Sequence, residues 1–257
     1  MYKLYNDDCL KVMPKLADKS IDLILCDLPY GVTDNDWDKI IPFKDLWYQY
    51  ERLITDRGCI ALFAQPPFDK VLAASNLPLF KYEWVWYKTV ATKFLNAHYA
   101  PLRNHELILI FSKAPATYVK DSDNKTMLYF PQFIDGEKYV NKRNSFSSNY
   151  RCSKSTVTTS NDGRRYPRDV LTFASDKDGF HPTQKPVALC EYLVKTYTLE
   201  GMTVLDNCMG SGTTGVAAYS LNRNFIGIEL NPEYYAIAER RIKKANGNLQ
   251  LDLSSLL

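Results

Sequence analysis

The sequence predicts an α/β fold built on a doubly wound, mostly parallel, Rossmann-like sheet. Three observations carry that expectation. Short apolar, β-branched runs alternate with stretches of helical period. Two of those runs end in an acid at a turn, Asp27 and Asp206. A Gly-Ser-Gly turn at 210–212 leads from a strand directly into a helix. Hydrophobic residues make up 46% of the 257, which supplies a sizeable core for one such domain.

Each element has its own signal. IDLILCD (21–27) is an uninterrupted apolar run followed by a turn, so it reads as a buried parallel strand. Residues 43–56 place Phe43, Leu46, Trp47, Tyr50 and Ile54 on one helical face, with Gly58 as the stop. Runs 59–65, 82–87 and 106–112 read as further strands, with Trp84 and Trp86 in the core and Asp22 facing solvent. Residues 185–198 have a helical period, a proline suited to the first turn and Gly201 beyond the end. A strand at 202–206, a glycine turn entering a helix at 210–221 and a strand at 224–230 follow. Asn231 caps a last amphipathic helix that opens on Pro232.

Between 114 and 180 the apolar periodicity fades. From 138 to 168 the basic residues are Lys138, Lys142, Arg143, Arg151, Lys154, Arg164, Arg165 and Arg168, against a single acid, Asp162. Tyr139, Phe146, Tyr150 and Tyr166 are interleaved. Basic groups neutralise phosphates and aromatic rings stack on bases, so this stretch is a candidate nucleic-acid surface. The expected organisation is a first half at 1–113, an inserted region at 114–180 and a second half of the same domain at 181–257.

The net charge of +3 permits nucleic-acid binding without requiring it. Cysteines 9, 26, 59, 152, 190 and 208 show no CxxC spacing and there are three histidines, a pattern that predicts no metal site and reduced thiols in a cytoplasmic protein. The N-terminus shows no apolar leader, and no apolar run reaches about 18 residues, so no membrane association is expected.

Two stretches carry chemistry. In the segment 204–214, free N–H groups at the helix start and a glycine turn suit close approach of a ligand. The next strand ends in Glu229, placed to accept hydrogen bonds from ribose hydroxyls. The segment lacks Gly-Lys-[Ser/Thr] and three-glycine spacing, and Asp206 would repel a pyrophosphate. Asp206 suits a cationic group instead, so a nucleoside bearing an amino acid fits, as in S-adenosylmethionine. The second stretch is Asp27-Leu28-Pro29-Tyr30, which describes a rigid polar pocket at the carboxyl edge of the sheet.

Asp27-Leu28-Pro29-Tyr30 resembles the catalytic tetrapeptide of amino-group DNA methyltransferases, usually Asp-Pro-Pro-Tyr. The segment 204–214 resembles their cofactor motif. The catalytic motif precedes the cofactor motif here, a circularly permuted order that resembles the β class, with the variable basic region between as a target-recognition insert. His181-Pro182-Thr183-Gln184-Lys185-Pro186, Arg103-Asn104-His105-Glu106 and Tyr5-Asn6-Asp7-Asp8-Cys9-Leu10 also resemble family segments. The resemblance implies transfer of a methyl group from S-adenosylmethionine to the N6 amine of an adenine flipped out of double-stranded DNA. Asp27, Leu28, Pro29 and Tyr30 would be catalytic. Asp8, Cys9, Asp27, Lys185, Asp206, Asn207, Met209, Gly210, Ser211, Gly212, Thr213, Glu229 and Leu230 would hold the cofactor. Arg143, Arg151, Arg164 and Arg165 would meet DNA. It further implies a bacterial or phage-encoded protein, and leaves open a homodimer and a cognate restriction endonuclease. Leu28 departs from the usual proline, in a position whose backbone carbonyl is the part used.

Cytosine-N4 methylation shares the fold and geometry, but that group more often begins its motif with Ser, so Asp27 favours adenine. A dinucleotide enzyme would show three-glycine spacing, and an inactive DNA-binding protein would have lost Asp27 or Glu229; neither description fits. RNA remains an alternative substrate that the residues do not separate from DNA. His105 reads as a local hydrogen-bond anchor and His181 as a turn cap.

Overall fold

The computed structural model describes residues 1–31, 38–117, 125–145, 155–176 and 184–245. They form two compact units, one made of 1–130 with the residues from 169 onward and the other of 131–168.

The first unit is built on an eight-stranded sheet. Its strands in chain order are β1 (Tyr2–Asn6), β2 (Ile21–Asp27), β3 (Ile54–Ala64), β4 (Phe80–Thr92), β5 (Arg103–Phe111), β10 (Val170–Thr172), β11 (Thr203–Asp206) and β12 (Asn224–Glu229). They lie in the order β1-β12-β11-β2-β3-β5-β4-β10. All neighbours are parallel except at β5, which runs against both β3 and β4. The sheet is therefore doubly wound and mostly parallel, and its carboxyl edge gathers the ends of β1, β2, β11 and β12.

Both faces are covered. On β2, Leu23 and Leu25 point into a core shared with α4 (Val187–Tyr197), α5 (Thr213–Ser220) and α6 (Pro232–Ala245). Ile24 and Cys26 point into the opposite core with α1 (Cys9–Val12), α2 (Phe43–Leu53) and α3 (Phe68–Ser75). A strand buried on two faces must be apolar at every position, which is why IDLILC reads as a run without alternation. Trp84 and Trp86 are buried, as their sequence context indicated, with indole N–H groups on Tyr197 Oη at 2.6 Å and the Phe173 carbonyl at 2.9 Å.

Three sequence expectations are corrected. The helix expected to run to 56 ends at Leu53, because Ile54 turns extended and pairs with Ile21, and β3 begins there. Gly58 therefore stops nothing: it lies within β3, where a Cβ would stand 2.8 Å from the Ile54 side chain. Asp22 is not a simple solvent-facing residue, since its carboxylate accepts the Thr203 N–H at 3.0 Å and ties β2 to the start of β11. The region 114–180 also encloses more than the second unit. Met127 is buried in the first unit's core, the Phe130 N–H meets the Thr196 carbonyl, and β10 extends the main sheet.

The second unit consists of the hairpin β7 (Tyr139–Ser145) with β8 (Ser155–Asn161) and the short antiparallel pair β6 (Ile134–Asp135) with β9 (Arg164–Arg165). Among the described residues no helix is long and apolar enough to cross a membrane.

Candidate active site

A cavity of about 1050 Å³ opens along the carboxyl edge of the sheet in the first unit. Parallel strands deliver side chains there because each ends on the same edge. All four residues of the tetrapeptide line it, as do Asp8, Cys9, Lys185, Asp206, Asn207, Met209, Gly210, Ser211, Thr213, Glu229 and Leu230.

At one end stands Asp27, the last residue of β2. Its Oδ1 accepts the Tyr30 hydroxyl at 2.5 Å and its Oδ2 accepts Lys185 Nζ at 2.5 Å. The Tyr30 ring stacks on Phe68 with centroids 5.0 Å apart. Asp38 fixes the turn, its Oδ1 accepting the N–H groups of Tyr30 at 2.7 Å and Gly31 at 2.8 Å. Leu28 is 3% exposed and packs in the α1–α3 core, so the residue that replaces the usual proline supplies a core side chain.

Lys185 is buried. It lies 3.4 Å from Glu106 and 5.2 Å from the Phe63 ring centre, and Glu106 is bonded to Lys88 from the neighbouring strand. Burial works against the Lys185 charge, but Asp27 and Glu106 outweigh it and raise its pKa above the ordinary lysine range. Burial likewise pushes the Glu106 carboxyl up, and the two lysines overcome that and hold it below its usual value. The four groups form an alternating chain, Lys88, Glu106, Lys185, Asp27, that ends on the carboxylate at the strand tip. Lys185, expected either at the cofactor or at a helix start, lines the cavity and donates to Asp27. Glu106, Lys88 and Asp38 were missed as site residues. Glu106 was visible only as part of a motif, and no spacing rule marks the other two.

At the other end, Glu229 Oε2 accepts the Gly210 N–H and Oε1 accepts the Asn231 N–H, each at 2.8 Å. Its carboxylate is thereby fixed at the end of β12, and burial pushes its pKa up. Asn6 binds the backbone carbonyls of Glu229 at 2.8 Å and Leu230 at 3.1 Å, which joins the tips of β1 and β12. Asp8 caps α1 by accepting the Leu10 N–H. Asp206 is 4% exposed, and burial pushes its carboxyl up to about 7. Next to it, Asn207 Oδ1 accepts the Tyr50 hydroxyl at 2.5 Å.

Gly212 is the exception among the expected cofactor residues, since it does not line the cavity. Its φ is +80°, and a Cβ there would sit 2.8 Å from the Ala238 Cβ. The positive φ and the packing of α6 both require glycine at this position. Arg241 on α6 completes the turn by donating to the Ser211 carbonyl at 2.7 Å.

The residues fit S-adenosylmethionine. A buried aspartate whose charge is opposed by its surroundings suits an ammonium group, and a fixed glutamate at a strand end suits ribose hydroxyls.

Of the four arginines expected at DNA, Arg151 lies outside the described residues, and Arg143 is placed on β7 by its backbone. Arg164 is largely exposed, lies over the Phe133 ring at 5.0 Å and faces Asp162 at 3.5 Å. Arg165 donates to Asn161 and to the Glu137 carbonyl and covers Tyr139, so it braces its own unit. His105 is exposed on β5, and His181 lies outside the described residues.

The sequence model of the N6/N4 DNA methylases matches residues 21–240. The chain is 28% identical over 256 residues to the type II methyltransferase M.HpaI of Haemophilus parainfluenzae, covering 93% of this chain and 74% of that one. It is 27% identical over 255 residues to the DNA adenine methyltransferase YhdJ of Escherichia coli, covering 95% and 83%. The solved structure of M1.HpyAVI in complex with SAM is similar with a TM-score of 0.62 and 25% identity, over 94% of this chain and 100% of that one.

Proposed function

The chain belongs to the N6/N4 family of DNA methylases, and from that premise we propose that it methylates the N6 amine of adenine at a specific site in double-stranded DNA, with S-adenosylmethionine as donor. The observation that carries this reading is a single cavity lined both by Asp27 and Tyr30 and by Asp206 and Glu229. Adenine is favoured by an aspartate, rather than a serine, at the head of the tetrapeptide. The name of the adenine-specific relative agrees with that choice. Type II relatives support a restriction–modification setting.

S-adenosylmethionine supplies an electrophilic methyl group on a sulfonium. Glu229 would take its ribose and Asp206 its ammonium, with the backbone at 208–211 beside them. The chain's own residues prepare the acceptor. An aromatic amine is a weak nucleophile because its lone pair is delocalised into the ring. Asp27 and the Leu28 carbonyl would each accept one N–H, which draws the nitrogen toward a tetrahedral shape and localises the lone pair. Tyr30, backed by Phe68, offers a face on which a flipped base can stack. Lys185 pairs with Asp27 and fixes its carboxylate at the strand tip, where it would stabilise the positive charge growing on the amine. Positioning of the two reactants supplies much of the acceleration. The second unit, 131–168, would read the DNA sequence.

Methylation sequencing of DNA from cells expressing the protein tests the reading. It should show N6-methyladenine in one sequence context. Methylated cytosine would transfer the same geometry to the N4 reaction. Asp27→Ala should abolish the mark while the purified variant still binds S-adenosylmethionine in calorimetry; appreciable turnover by that variant would remove Asp27 from the reaction.

A further inference from the structure

The β4–β5 hairpin runs out from the cavity wall. Lys88, Val90 and Thr92 on β4 line the cavity, as does Glu106 on β5. Beyond them the chain forms a tip closed at its base by a Thr92 Oγ1 to Arg103 carbonyl bond of 3.2 Å. Arg103 is in turn fixed to the cavity rim, donating to Gln65 Oε1 at 3.0 Å. The tip is a built structure: a 3-10 turn over Phe94–Asn96 is followed by Tyr99 and Ala100 N–H groups that both meet the Asn96 carbonyl at 2.9 Å. Four of its backbone N–H groups, from Asn96, Ala97, Tyr99 and Ala100, are paired within the tip, yet its apolar side chains are exposed. Leu95 is 96% exposed and Tyr99 90%, with Val90 and Phe94 also largely exposed.

Charge identifies the partner. Residues 88–105 contain Lys88, Lys93, Arg103 and two histidines, and no aspartate or glutamate. Lys88 is paired with Glu106 at the cavity, but the part beyond it, 89–105, keeps Lys93 and Arg103 with no acid, and an apolar tip of that charge, continuous with a cavity that takes a base, suits a polyanion with an apolar interior. We propose that this hairpin enters the DNA duplex at the target base pair: Leu95 and Tyr99 occupy the space left in the stack, while Lys93 meets the phosphates. Apolar wedges elsewhere separate base steps in this way, at the cost of unstacking. Extrusion of a base leaves a gap that such side chains fill, which slows its return. The proposal rests on the DNA-methylating reading and adds to it the element that opens the duplex.

The test uses the double variant Leu95→Ser, Tyr99→Ser in the full chain, with two synthetic duplexes carrying the site mapped by methylation sequencing. One duplex is fully paired; the other has an abasic position opposite the target adenine, so the base is already free. Both substituted side chains are exposed, so thermal denaturation and S-adenosylmethionine affinity should match the unaltered protein. On the paired duplex the methylation rate should fall by about tenfold or more, and on the abasic duplex by less than about threefold. An unchanged rate on the paired duplex overturns the proposal. Equal loss on both duplexes overturns it as well, since the tip would then serve general binding. Loss of a dimer in sedimentation, parallel to the loss of rate, assigns the tip to a second copy of the chain and overturns it too. If the unaltered protein methylates neither duplex nor any DNA, the DNA-methylating reading itself fails, which separates the two failures.

Discussion

Asp206 is held where its charge is unwelcome. Its carboxyl titrates at about 7 because burial outweighs the hydrogen bonds that favour the anion. A carboxyl raised on folding stabilises the fold fully below its unfolded value, and that contribution is lost as pH rises through about 7. A cationic ligand reverses the preference, because it pairs with the anion. Binding then expels a proton below pH 7 and none well above it. Affinity for S-adenosylmethionine should therefore rise as pH climbs from about 6 to about 8, approaching tenfold per unit at the low end. Asp206→Asn should bind more weakly and show little of that slope. Calorimetry at three pH values decides it, and a flat profile for the unaltered protein would take Asp206 away from the ammonium. The acid at this position was legible in the sequence as a strand-end carboxylate. Its burial was not, since only the fold sets β11 beside β12 and pairs Asp206 with Gly227.

At the scale of elements, most strands and helices were legible because each obeys one period. β2, β11 and β12 are short buried runs, and α6 carries its own start signal, with Asn231 Oδ1 accepting the Glu233 N–H at 2.8 Å. What failed was an element whose limit is set by tertiary pairing. Ile54 fits the apolar stripe of α2, yet it joins β3 because Ile21 offers it a strand partner. Helix α3 went unread because it is only eight residues long and follows two prolines. The glycine turn was legible as a turn, but the reason for one glycine was not. If Gly212 answers to α6, Gly212→Ala should lose stability through both the positive φ and the approach of Ala238, about 2 kcal/mol or more. Gly201 provides the control: its φ is +79° and nothing lies within 4 Å of a Cβ there. Gly201→Ala should cost about 1 kcal/mol, the strain alone. Denaturant unfolding of both variants measures the difference, and equal losses would refute the packing argument.

At the scale of the whole molecule, charge is distributed unevenly. Residues 131–168 hold eight lysines and arginines against three acids, a surplus of five, while the whole chain has a net charge of only +3. The second unit therefore carries the chain's entire positive excess, and the first unit is slightly acidic. Among the described residues its two antiparallel pairs, β7–β8 and β6–β9, contribute no buried hydrophobic side chain, so they are poor candidates for a stability role. A basic, compact unit outside the catalytic sheet fits a recognition role, in which phosphate contacts position the protein and a few side chains read bases. Of the arginines expected at DNA, Arg164 is the described one whose side chain is largely exposed, whereas Arg165 is engaged within the unit. Arg164→Ala at a phosphate should weaken all DNA alike and reduce the slope of log affinity against log salt by about 1; at a base edge it should relax one position of the site, at a cost of about 1–3 kcal/mol. Exchanging 131–168 for the corresponding segment of a relative with a different site should change the sequence that is methylated and leave S-adenosylmethionine affinity intact. Methylation sequencing with the exchanged protein reads the result. The original site, methylated at its original rate, would mean that recognition lies in the catalytic unit.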